Sequence, residues 1–179
     1  MHLGGSAHGK EGDEALTMRD TAPAPTWAVW STWILSLTGL GLAIYLTIAH
    51  FAGSQILACS DKGLVDCASV TTSPESYFLG VPVAILGLIN FVILGVLTSP
   101  WVWRQRARWV ALVRWGVVVG GMLFVFWLLV VEFLILNRIC IYCTGVHIVT
   151  LALFIILSRV TPVQLGWVSD AEERAVPSR

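Results

Sequence analysis

Four apolar stretches, residues 28–49, 80–98, 110–136 and 139–157, run through a chain of 179 residues. Each is close to or above the roughly 20 helical residues that cross a hydrocarbon core of about 30 Å. With 56% hydrophobic and only 12% charged residues, the remainder cannot wrap these stretches in a water-facing shell. In lipid every backbone amide needs a partner inside the fold, which leaves helices or closed barrels. Long apolar runs without strand-like alternation predict helices. The expected fold is therefore an all-α bundle of four transmembrane helices, with the loop between the first two folded as an external cap.

The breakers agree with that division. The third stretch has no proline, and Pro82 falls in the first turn expected for the second, where its missing amide costs little. Gly39, Gly41, Gly116, Gly120 and Gly121 offer small faces for helix packing. The first apolar run follows about 26 mostly polar residues and exceeds a signal-peptide core of about 7–15, so it is expected to be retained. Residues 1–26 and 159–179 read as disordered cytoplasmic tails around a membrane domain at 27–158.

Net charge is zero, so no global field points to nucleic acid, and no basic run is interleaved with stacking aromatics. Position matters more than sum. Between the second and third stretches lie Arg104, Arg106, Arg108 and Arg114 without an acidic residue, whereas Lys62 in the first loop faces Asp61, Asp66 and Glu75. Positive charge marks the cytoplasmic side. Both termini are then inside, and residues 51–77 and 137–138 are outside. Trp27, Trp30, Trp33, Trp101, Trp103, Trp109, Trp115 and Trp167 all fall near the inner boundary, as an aromatic belt would.

All four cysteines thereby border the oxidising side, where disulfides persist. Two structural disulfides in a membrane scaffold would satisfy that count alone. The spacing argues otherwise. Cys140 and Cys143 are one turn apart at the start of the last helix, and so small a ring is a poor staple, because loop-closure stabilisation grows with loop length. The positive end of a helix also stabilises a thiolate. Zinc is disfavoured, since Cys59 and Cys67 are separately spaced in another loop and no histidine completes a ligand pattern. The loop at 51–77 is long for a mere connection. Folded over the bundle mouth, it would let Cys67 reach Cys140 while Cys59 stays open to a soluble partner.

The run from Cys67 through Ser73, Ser76, Gly80 and Pro82, followed by Cys140-Ile-Tyr-Cys143, resembles the vitamin K epoxide reductase family, in particular its bacterial members that drive disulfide formation. The likeness spans about residues 30–157. The other bacterial quinone-linked disulfide generator with four helices carries its Cys-x-x-Cys in the first external loop, the reverse of this order. The resemblance implies a path. Cys59 would exchange with a separate DsbA-like, thioredoxin-fold protein of the periplasm or cell exterior. Cys67 would pair transiently with Cys140, and Cys143 would pass electrons to a membrane quinone of menaquinone, ubiquinone or vitamin K type. Ser73 matches a hydroxyl residue kept near the quinone head. The implied location is the bacterial cytoplasmic membrane, and reduction of vitamin K epoxide itself would use the same site.

Three further polar residues fall inside apolar stretches. His147, one turn beyond Cys143 on the same face, is a candidate for quinone contact or for a bond between helices. Glu132, ahead of Cys140, could handle protons or snorkel to external water. Asn90 could donate to a quinone oxygen, though packing is its simpler role, and His50 reads as an interfacial residue.

Overall fold

A computed structural model describes residues 21–53 and 65–168. Helix α1 covers Thr26–Ala52. A short α2 at Cys67–Thr72 leads through a 3-10 turn, Pro74–Ser76, into a hairpin of β1 (Tyr77–Phe78) and β2 (Val81–Pro82). Helix α3 is Val83–Leu97, α4 is Pro100–Trp103, and α5 is Arg108–Val130, continued by a π-helical turn at Val131–Leu136. Helix α6 is Ile141–Gln164.

Among the described residues the architecture is all-α apart from the two-residue strands, and three helices are long and apolar enough to cross a membrane. They are α1 with 27 residues, α5 with its π turn at 29, and α6 with 24. The second expected span, 80–98, holds a shorter apolar helix. Its helix has only 15 residues, about 22 Å at about 1.5 Å each, against a core of about 30 Å. Hairpin geometry takes its opening residues: Leu79 and Gly80 make the turn with φ of 51° and 82°, and Pro82 is extended as the N-cap at ψ 130°. Pro82 therefore precedes the helix rather than sitting in its first turn. At the other end α6 runs past the expected limit of 157, burying Val160, Thr161 and Gln164.

Helix α1 packs against α3 and α6, while α5 packs on α6 and α3. Two of the five singled-out glycines explain close approaches. The Phe91 ring lies where a side chain on Gly39 would have to sit, and Asn90 fills the space beside Gly121. Added side chains at Gly41, Gly116 and Gly120 would meet nothing. Outward faces are apolar, with Ile44, Ile89, Leu123, Phe126, Ile148 and Ile155 exposed, as helices solvated by lipid require.

The bundle separates its ends chemically. Arg104, Arg106 and the start of α5 lie at one end, where the Thr21 amide donates to the Arg106 carbonyl at 2.8 Å and the Ala22 amide to the Gln164 carbonyl at 3.0 Å. The short helix α2, the π turn and the start of α6 lie at the other. Arg114 is not a loop cation but a buried residue of α5. Its guanidinium donates to the Leu97 carbonyl and to Gln164 Oε1, and lies 3.4 Å from the Trp103 ring centroid. Trp103 is accordingly buried beneath that charge instead of exposed in a belt, whereas Trp27, Trp30, Trp101, Trp109 and Trp167 are exposed.

Candidate active site

The cysteine end is assembled by short-range rules acting on two loops. Asp66 N-caps α2, its carboxylate accepting the Ser69 amide at 3.0 Å and the Ser69 hydroxyl. These two bonds, more than the nearby Arg138, hold the Asp66 carboxyl below its ordinary 3.8. Cys67 is thus fixed as the first residue of α2. Across from it, Val65 forms a parallel bridge with Ile139, and the Asp66 amide donates to the Ile139 carbonyl at 3.2 Å. Cys67 lies two residues beyond the bridge on one side and Cys140 one residue beyond it on the other. Both sulfurs are wholly buried in one small cluster with Leu46 and Ala49 of α1.

Cys140 is the N-cap of α6, and its sulfur accepts the Cys143 amide at 3.3 Å. A sulfur so placed faces the unsatisfied amides and positive end of the helix, where negative charge is favoured. Cys140 and Cys143 are free thiols. Cys67 is disulfide-bonded, so its partner is neither of them. Cys59 lies outside the described residues.

Cys143 lines a cavity of about 470 Å³ between α1, α3, α5 and α6, to whose wall the hairpin and the 3-10 turn also contribute. Its walls are mostly apolar, and Ser73, Asn90, Glu132 and His147 all line it. The Ser73 hydroxyl donates to the Val70 carbonyl at 3.2 Å. His147 is 5% exposed and neither ring nitrogen has a hydrogen-bond partner among the described residues. A bond between helices therefore does not explain it. Glu132 is 4% exposed and does not reach external water. It continues the buried face of α5 and lines the cavity together with Cys143, and its Oε2 is buried without a partner among the described residues. A few polar groups converging on an apolar cleft fit a flat apolar ring that carries two carbonyl oxygens.

Sequence reasoning missed His50 as part of this site. Its Nδ1 is 3.0 Å from the Thr71 carbonyl, which can only accept, so Nδ1 donates, and Nε2 lies 3.2 Å from the Tyr77 hydroxyl. The side chain pins α2 and the hairpin to the end of α1. No spacing rule links positions 50, 71 and 77, because the contact exists only once the cap has folded back. Asp66 counts only as a loop charge by composition, although its place three residues before Ser69 carries a capping signal.

The sequence also matches a family model over residues 30–158, which takes in every described element of this end, from α1 through the cap to α6. Two thiols at a helix start, a third cysteine buried beside them in a disulfide and a membrane-embedded fold agree with that match, and the chain belongs to the vitamin K epoxide reductase family, a class of membrane thiol oxidoreductases.

Proposed function

We propose that this protein oxidises a thioredoxin-fold carrier in the cell envelope and passes the electrons to a membrane quinone. The observation that carries the reading is Cys143, a free thiol opening on an apolar cavity while its neighbour Cys140 lies buried beside Cys67. A carrier thiolate attacks Cys59 of a Cys59–Cys67 disulfide and releases Cys67 as thiolate. Cys67 attacks Cys140 of a Cys140–Cys143 disulfide, forming Cys67–Cys140 and freeing Cys143. The carrier's second thiolate then displaces Cys59, which attacks Cys67 and frees Cys140. The resulting Cys140/Cys143 dithiol gives two electrons and two protons to the quinone and closes again as a disulfide.

Around the cavity, Glu132 takes the Cys143 proton, and His147, Asn90 and Ser73 face the quinone oxygens. In the membrane, α3 with the hairpin before it and α4 after it completes a fourth crossing. Arginines at one end and cysteines at the other support a cytoplasmic arginine face and an external redox face. The test uses purified protein. Cys143→Ala should abolish quinone reduction, whereas Cys59→Ala should block electron entry from the carrier but spare turnover with a small dithiol. Carrier oxidation at the normal rate in both variants rules out the relay.

A further inference from the structure

The loop that carries Cys67 and the turn that carries Cys140 are joined by a charged contact outside the reacting sulfurs. Arg138 Nη1 donates to Asp66 Oδ2 at 3.3 Å, with side chains 42% and 12% exposed. Each partner sits beside the machinery: Asp66 directly precedes Cys67, and Arg138 is two residues before Cys140. The backbone around them is held in one arrangement. The Asp66 amide bonds to Ile139, the Arg138 amide donates to the Glu132 carbonyl at 3.2 Å, and Asn137 takes a left-handed φ of 49° to make that return. The parallel bridge at Val65 and Ile139 holds the two segments against each other, and just beyond it Cys67 and Cys140 pack in one buried cluster.

We propose that Asp66 and Arg138 are positioning residues, a latch that docks the cap on the last turn and sets the approach of Cys67 to Cys140. The inference rests on the relay described above and adds what controls its middle step. An exchange between sulfurs needs direct approach along one line, so a docked cap passes electrons and an undocked one does not. Because the pair is partly exposed, it is open to screening by salt, unlike the buried apolar contacts around the sulfurs.

The experiment uses the full chain with Cys59→Ser and Cys143→Ser, leaving Cys67 and Cys140. Diamide, a membrane-permeant azo oxidant, takes two electrons and two protons from the thiols as the Cys67–Cys140 bond forms and becomes the hydrazine. The rate is read by non-reducing mass mapping. Asp66→Asn keeps an N-cap oxygen for α2 and removes the charge. Asp66→Asn and Arg138→Gln should each slow the bond about fivefold, the scale of a partly exposed pair, and together no further. Arg138→Lys should recover most of the rate. About 0.5 M NaCl should slow the parent and leave both neutral variants unchanged. Parent-like rates in the two variants, or equal slowing of all chains by salt, overturn the latch. Failure of the parent itself to form Cys67–Cys140 refutes the hand-over in the relay, and the latch falls with it.

Discussion

Replacing Glu132 by glutamine separates a proton acceptor from a packing group. The substitution keeps shape and volume, so the cavity and the π turn should persist. Glu132 shares the cavity wall with Cys143, and its Oε2 is buried with no partner among the described residues. If Glu132 takes the proton as Cys143 becomes thiolate, its loss removes general-base assistance of about 10²–10⁴-fold. At about 1.4 kcal/mol per decade, that raises the barrier by about 3–5 kcal/mol. The assay is single-turnover quinone reduction by the prereduced protein, followed by quinone absorbance, with the quinone concentration varied. The rate constant should fall by that factor while half-saturation by quinone stays put, since the group acts on the thiol and not on binding. Glu132→Asp, shortened by one methylene, should fall between. A glutamine variant within about threefold of the parent at saturating quinone refutes the assignment and leaves Glu132 as a buried polar wall.

Two other outcomes follow from the packing and the charges. Gly39→Val drives a side chain into the Phe91 ring and should destabilise the bundle by about 1–3 kcal/mol in detergent unfolding, while Gly41→Val, which meets nothing, should stay within about 0.5 kcal/mol; equal losses contradict the close approach of α1 and α3. The Asp66 carboxyl is depressed below 3.8, first by the Ser69 hydroxyl and amide. A depressed carboxylate contributes stability above its unfolded value and loses it as pH falls through the folded one. Hydrogen-exchange protection of α2 amides, corrected for intrinsic rate, should therefore hold from about pH 8 to 5 and fail only below 3.8; loss of protection near pH 6 points to another titrating group.

Much of the membrane core is legible in the residues themselves. Apolar length dictates α1, α5 and α6, because helix rise and bilayer thickness are fixed quantities that a composition either satisfies or does not. The Cys140-Ile-Tyr-Cys143 spacing likewise marks a pair within one turn, since contacts along a helix depend on local sequence alone. Tertiary structure decided the rest. Hydropathy runs straight through residues 80–98, yet the hairpin claims Gly80 to Pro82 because positive φ and an extended proline serve the turn before the helix. Arg114 counts as a loop charge by proximity until Trp103, Leu97 and Gln164 surround it. Glu132 continues the buried series Ala111, Val118 and Val125 at intervals of seven, so periodicity aims it into the bundle, but that it meets a cavity shared with Cys143 depends on how α5 packs against α6. The bridge of Val65 to Ile139 and the buried cluster that holds Cys67 and Cys140 join segments far apart in the chain. Local rules named the sulfurs; only contacts between distant segments could bring them to one end and give them a cavity.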